Sequence, residues 1–198
     1  MNRSLHELKK DIVFETRMRD RDLKFHTTWG LFSHREIDEG SSLLVKYVDV
    51  EIDDVTIDVG CGYGAVGIPI AASSPKGEVH MVDKDFVAVE YAEKNAKVNR
   101  LSNCQAYLSN GFSNVDKNLK CDNVVSNLPA KVGKEMIYIM LRDAKTRLKP
   151  GGKIWVVVIS GLKDYIKREF KNVFGNYDKV KQGRKHAVLS AQKHPGNN

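Results

Sequence analysis

A chain of 198 residues, 41% hydrophobic and 29% charged, is long enough for one compact domain that buries roughly 70% of its unfolded surface, and too apolar to be disordered except at its ends. No apolar stretch approaches the ~18 residues of a membrane span, and MNRSLHELKK lacks the apolar core of a secretory signal, so a cytoplasmic protein is expected. The net charge of +7 is uneven: residues 131–198 hold sixteen basic and five acidic side chains, a field that can draw in a polyanion or simply keep the surface solvated.

The first 50 residues read as an appendage too short to be an independent domain, with residues 51–192 as the main domain and 193–198 as a tail. HELKKDIVFETR (6–17) fits a helix, DLKFHTT (22–28) alternates like a strand, and EGSSLLVKYV (39–48) fits a helix packed ahead of the first sheet strand. Strand VTIDV (55–59) then precedes helical AVGIPIAASS (65–74), and strand EVHMVD (78–83) precedes helical FVAVEYAEKNAKVNR (86–100). CQAYLS and CDNVVSN are the next two strands. Residues 134–148 carry Met136, Ile137, Met140, Leu141, Ala144 and Leu148 on one helical stripe, which LKPGGK ends because proline cannot continue it. KIWVVVIS is a strand buried on both faces, followed by a helix over 162–174 and strands around 179–181 and 186–192. Strand and helix in alternation predict an α/β, Rossmann-like fold: a mostly parallel sheet with helices on both faces. Cys61, Cys104 and Cys121 form no CxxC pair and no helix presents paired histidines, so neither a disulfide framework nor a metal site is expected.

The chemistry starts at DVGCGYGAVG (58–67). Gly60, Gly62 and Gly64 lie between a strand and a helix, where missing side chains let a ligand approach backbone N–H groups at the positive helix end. A nucleotide-containing cofactor is implied, although the loop also fits the looser pattern used for NAD, or a tight turn alone. Asp83 ends the second strand, 25 residues after Asp58, where a carboxylate can accept hydrogen bonds from both hydroxyls of a ribose. Asn110 and Gly111 follow the third strand on the same sheet edge; Asn110 can meet an adenine, and an Asn-Gly pair is also a good turn. In VVSNLPAKVG (124–133), Asn127, Leu128 and Pro129 either stop the strand or hold a reacting group.

Together D-V-G-C-G-Y-G, Asp83 and LKPGGKIWVVV resemble the seven-stranded S-adenosylmethionine-dependent methyltransferases, whose last strand runs antiparallel. TTWGLFSHREIDEGSSLL (27–44) resembles a segment of the small-subunit ribosomal RNA guanine-N2 methyltransferase family, particularly its short single-domain archaeal relatives, and the likeness covers roughly residues 25–190. The resemblance implies that Asp58, Gly60, Cys61, Gly62 and Gly64 hold the methionine part of S-adenosylmethionine, Asp83 and Lys84 the ribose, and Asn110 and Gly111 the adenine. In that family the fourth strand ends in Asn-Pro-Pro and a bulky apolar residue. Here the Asn127 side-chain oxygen and Leu128 carbonyl would accept hydrogen bonds from an exocyclic amine, with Asn127 also facing the cofactor and Pro129 fixing the turn.

Two departures are Leu128 in place of the first proline and Ala130 in place of the bulky residue. Base–aromatic stacking is worth ~1–3 kcal/mol per base, which a methyl group cannot supply. Trp29, Phe32, Phe25 and Phe112 are the rings that can replace it, although each also reads as an ordinary core aromatic, and Ser33 lies in the same resembling segment. Arg184 and Lys185 are candidate phosphate contacts. The expected partner is ribosomal RNA or the small ribosomal subunit, with the protein a monomer or homodimer. Transfer RNA or a protein glutamine amide are alternative acceptors, and a non-catalytic RNA-binding module is the alternative from another class.

Overall fold

A computed structural model describes residues 11–129 and 133–196. It opens with an antiparallel hairpin, β1 (Ile12–Met18) and β2 (Arg21–Thr27), joined through Arg19 and Asp20 at φ 47° and 60°, the doubly positive turn that suits two-residue hairpins. The helix expected over 6–17 is therefore a strand in its described part. Ile12, Phe14, Thr16 and Met18 turn inward while Val13, Glu15 and Arg17 face water. This period of two, with a partner strand to complete the ladder, overrides the helical charge spacing.

Helix α1 (Glu39–Tyr47) follows, its N-terminus capped by Asp38, which accepts the Ser41 N–H at 2.9 Å. The remaining elements alternate: β3 (Val55–Val59), α2 (Gly67–Ser73), β4 (Glu78–Asp83), α3 (Phe86–Val98), β5 (Cys104–Leu108), β6 (Cys121–Asn127), α4 (Lys134–Arg147), β7 (Leu148–Ile159), α5 (Lys163–Phe174), β8 (Asp178–Gln182) and β9 (His186–Gln192). LKPGGK does end α4, but within β7: Leu148 pairs with Cys121 and Lys153 with Asn123, and the residues between form an irregularity with Gly151 at φ +86°.

The seven strands lie in the order β5-β4-β3-β6-β7-β9-β8. All neighbours are parallel except those of β9, which runs antiparallel to β7 and β8. The sheet is thus the Rossmann-like α/β arrangement expected, including the antiparallel last strand. Alternate strand residues feed two cores. Val125, Trp155, Val157 and Val188 pack with the hairpin and α1 to α3 on one face, whereas Val124, Ile154, Val156 and Leu189 pack under α4 and α5 on the other. From β3 the chain moves outward to β4 and β5, then returns to β6 on the other side. The carboxyl ends of β3 and β6 therefore flank the crevice where strand order reverses, the place an open α/β sheet offers a ligand.

Helix α3 keys the hairpin to this sheet. Asn99 accepts the Lys24 N–H at 2.9 Å and donates to the Lys24 carbonyl at 2.7 Å, and Asn95, one turn earlier, does the same for His26 at 2.7 and 2.9 Å. Two side-chain amides thus do for the free edge of β2 what a neighbouring strand would do. Asp11 adds hydrogen bonds to His26, Tyr91 and Lys94. Burial raises its carboxyl, but those three bonds outweigh it and hold the pKa down at about 2. Among the described residues no helix is long and apolar enough to cross a membrane.

Candidate active site

The glycine loop after β3 departs from one expectation. The N–H groups of its first three residues do not wait for a ligand. Gly60 and Cys61 both donate to the Val82 carbonyl, at 2.8 and 3.0 Å, and Gly62 donates to Asp83 Oδ2 at 2.9 Å. At the helix end beyond, the Gly67 N–H is taken at 2.8 Å by Asp58, which fills the position an external anion would occupy. A loop built this way offers little to a pyrophosphate, which sets it apart from a nicotinamide dinucleotide site.

What the loop does offer is open surface and negative charge. Gly60 and Gly62 adopt φ +73° and +56°, and a Cβ built on either meets nothing within 4 Å, so a ligand can lie against bare backbone. Gly64 has a different task, because a Cβ there would stand 2.7 Å from Ile68 Cγ1. Cys61 is buried, and burial together with the Asp58 and Asp83 charges pushes its thiol well above the usual range, so it contributes backbone and no nucleophile. Asp58 lies beneath the loop at 1% exposure. Burial pushes its carboxyl up to about 7; the Gly67 N–H opposes this and the Asp83 charge adds to it.

Asp83 accepts one backbone hydrogen bond on each oxygen, from Gly62 and from Asp85 at 3.0 Å. Each oxygen keeps a further lone pair for a ribose hydroxyl. Lys84 beside it is exposed. Phe86 and Val87, 65% and 39% exposed at the start of α3, place apolar surface directly after this acceptor. Their role was not read from the sequence, where they are merely helix residues. The Ser109 N–H bonds the Asp83 carbonyl at 2.8 Å and so ties the next loop to the same edge. There Asn110 is exposed and Gly111 sits at φ +59° with open space above it. The cradle fits a cofactor that presents an adenosyl group and positive charge.

Across the crevice, Asn127 ends β6. Its Nδ2 donates to Asp38 Oδ1 at 3.1 Å and to Ser41 Oγ at 3.0 Å. A carboxylate only accepts, so the NH₂ must face Asp38, and Oδ1 is the end left to meet an incoming N–H. Leu128 donates its N–H to Val157 at 3.0 Å and buries its side chain in the α4–α5 core, which explains an apolar residue in place of the first proline. Only its carbonyl can serve the site. Pro129 is exposed, and Ala130 lies outside the described residues. Asp38 and Ser41 were missed as partners of Asn127, because nothing local announces a contact across 89 and 86 residues.

The segment before α1 closes one side. The Tyr63 hydroxyl of the glycine loop is shared between the Ser33 and Glu36 carbonyls, both at 3.3 Å, and Asn95 donates to the Tyr63 carbonyl at 2.9 Å. Ser33 turns the segment at φ +51°. Phe32, 74% exposed, presents a bare ring, whereas Trp29 is half-buried with His34 4.5 Å from its ring and Arg35 5.2 Å over it. Phe25 and Phe112 are corrected here: at 0% and 3% exposure they are core and cannot stack on a ligand. Ile159 at the end of β7 pairs with His186, so Arg184 and Lys185, exposed in the turn before β9, lie on the same edge as Asn127. Gly183 of that turn packs against Leu43 of α1. Among the described residues no group of three or more His, Cys, Asp or Glu could hold a metal ion.

Comparison with known proteins agrees with this geometry. The model of the methyltransferase small domain matches residues 22–190. The chain belongs to the methyltransferase small domain family. A relative named uncharacterized protein YbxB, from Bacillus subtilis, is 34% identical over 72% of this chain and 71% of its own length. The ribosomal RNA small subunit methyltransferase C of Haemophilus influenzae is 31% identical over 87% of the chain but 52% of its own. A structure of the T. thermophilus 16S rRNA N2 G1207 methyltransferase (RsmC) with AdoMet and guanosine superposes with a TM-score of 0.83 at 27% identity, covering 93% of this chain and 51% of that one. The chain thus spans about half the length of both named ribosomal RNA methyltransferases.

Proposed function

We propose that this protein is a cytoplasmic enzyme that transfers a methyl group from S-adenosylmethionine to the exocyclic N2 amine of a guanine in small-subunit ribosomal RNA. The observation that carries the reading is the Asn127 amide, whose Nδ2 is clamped by Asp38 and Ser41 so that Oδ1 is the end left to accept an N–H. The likeness to an RsmC structure holding AdoMet and guanosine supports the same assignment.

Bound in the cradle, S-adenosylmethionine supplies an electrophilic methyl group. Its ammonium and sulfonium outweigh its single carboxylate and it carries no phosphate, which suits a turn whose Gly60, Cys61 and Gly62 N–H groups are occupied and whose rim holds Asp83. Asp83, with Lys84 beside it, holds the ribose; Asn110 and Gly111 border the adenine; Gly60 to Gly62 line the methionine part, with Asp58 shaping the loop from below.

The lone pair of a guanine amine is delocalised into the ring, so the amine is a poor nucleophile. Asn127 Oδ1 and the Leu128 carbonyl accept its N–H groups, hold it in line for attack, and bind more strongly as positive charge grows on nitrogen. The methyl–sulfur bond would break as the methyl–nitrogen bond forms, leaving a neutral thioether, and the surplus proton on nitrogen is lost to water after transfer, so a strong base is not required at that step. Pro129 sets the turn that aims both oxygens. The exposed Phe32 ring supplies the stacking face absent at Ala130, Trp29 and Ser33 hold the shape of its loop, and Arg184 and Lys185 meet phosphates of the RNA.

Transfer of labelled methyl to separate pools of unmodified ribosomal RNA, transfer RNA and protein, followed by nucleoside analysis, tests this. The expected product is N2-methylguanosine in small-subunit ribosomal RNA. Label confined to large-subunit RNA, transfer RNA or protein would overturn the acceptor.

A further inference from the structure

Part of the basic surplus of the C-terminal third lies away from the crevice. Arg142 and Lys145 of α4, Asn172 of α5 and Lys193 just past β9 line a surface groove of about 290 Å³, with Tyr138 at one end. Helix α4 starts on the edge that carries Asn127 and runs toward the start of β7, a span of about 20 Å for its 14 residues. The groove therefore lies along the outer face, toward the opposite edge of the sheet.

Among the described residues no carboxylate forms an ion pair with Arg142, Lys145 or Lys193. Glu169, on the neighbouring helix, is buried and bound to Arg168 at 3.1 Å. Arg142 lies 5.9 Å over the Tyr138 ring. Burial, with the Lys120 and Lys145 charges, pushes the Lys193 ammonium below its usual pKa. Helix capping explains part of the cluster, since Lys120 donates to the Thr146 carbonyl at 2.8 Å and Lys193 to the Leu148 carbonyl at 3.0 Å. The magnitudes show that it does not explain all of it. A helix C-terminus is worth about half a negative charge, whereas Arg142, Lys145 and Lys193, which line the groove, bring three positive ones. With Asp143 of α4 also counted, a surplus of roughly one and a half charges remains. Like charges held together without a counter-ion are a standing cost that a polyanion would relieve.

We propose that this groove binds the phosphate backbone of the RNA substrate, anchoring it at a distance from the base being methylated. The inference rests on the RNA reading given above. Phosphates lie against Arg142, Lys145 and Lys193, and the Tyr138 ring offers a flat apolar neighbour for a sugar or base. Such contacts add affinity and register without reading sequence.

The test is binding of an unmodified small-subunit ribosomal RNA transcript over a range of salt concentrations, with methyl transfer measured on the same preparations, for wild type, Arg142→Gln/Lys145→Gln and the surface control Lys97→Gln. Each lost phosphate contact lowers the slope of log K against log salt by about 0.7–0.9, so the double variant should be shallower by about 1.5. Its KM for RNA should rise roughly tenfold, with kcat at saturating RNA and cofactor affinity unchanged and the control like wild type. If the double variant proves unstable, Lys145→Gln alone should lower the slope by about one. A wild-type protein that binds the transcript with a variant of equal slope and KM overturns the groove and leaves the RNA reading standing. A wild-type protein that binds no ribosomal RNA and methylates another acceptor overturns both.

Discussion

The two loops that face each other across the crevice are built from different sources. After β3, the N–H groups of the glycine turn find their partners in the sheet beside it: Val82 and Asp83 take Gly60, Cys61 and Gly62, and Asp58 takes Gly67. After β6, the side chain that matters is held from far away in the chain, by Asp38 and Ser41, in a segment docked through Asn95, Asn99 and Tyr63. The glycine turn is therefore held by the sheet, with Tyr63 touching the N-terminal segment only at the loop's far side, whereas the acceptor residue Asn127 is itself held by that segment. Geometry at Asn127 can be lost while the cradle stays intact.

Variants in each loop can break or sharpen that contrast. Asn127→Ala should have the largest effect on turnover, lowering kcat by ~10²–10³ as expected for a lost transition-state hydrogen-bonding group, with cofactor affinity kept. Single-turnover transfer and equilibrium cofactor titration on one preparation would check it; a parallel loss of both would erase the difference between the loops. Asp83→Ala should show the converse. Removing charge-assisted hydrogen bonds of ~1.5–3 kcal/mol weakens cofactor binding by roughly 10–100-fold, with kcat at saturating cofactor kept within a few-fold.

Asp58→Asn should act least on turnover and most clearly on stability against pH. The folded carboxyl, raised to about 7 from 3.8, holds a proton where the unfolded one has lost it. Its contribution is full below pH ~4 and fades as pH rises through 7, so wild-type stability should decline across that window by at most a few kcal/mol. The asparagine variant still accepts the Gly67 N–H and should show a shallower decline in urea unfolding at stepped pH.

Much of the sheet was legible because strands such as VTIDV and KIWVVVIS are buried on both faces and stand out as apolar runs. Strand β1 was not, because its charged neighbours mimic helical spacing and its true partner, β2, is itself half exposed. Residue type placed Asp83 and Asn127 at strand ends on the correct edge. It could not show that the glycine-loop N–H groups are occupied, since backbone partners leave no mark on residue identity. Nor could it show Asn95 and Asn99 as clamps, for an asparagine in a helix reads only as a weak helix former. Phe25 and Phe112 stay open between core and stacking ring in the sequence for a related reason: hydrophobicity alone does not say which aromatic side chain is left outside.

The most direct test of the central claim is a double-mutant cycle on methyl transfer that combines Ser41→Ala with Asn127→Ala. If the N-terminal segment acts by aiming the Asn127 amide, Ser41→Ala should lower kcat by about fivefold in the wild-type background, corresponding to one hydrogen bond of ~1 kcal/mol, and by nothing further once Asn127 is alanine. An equal loss in both backgrounds would contradict the account, because Ser41 would then act independently of the residue it is proposed to orient.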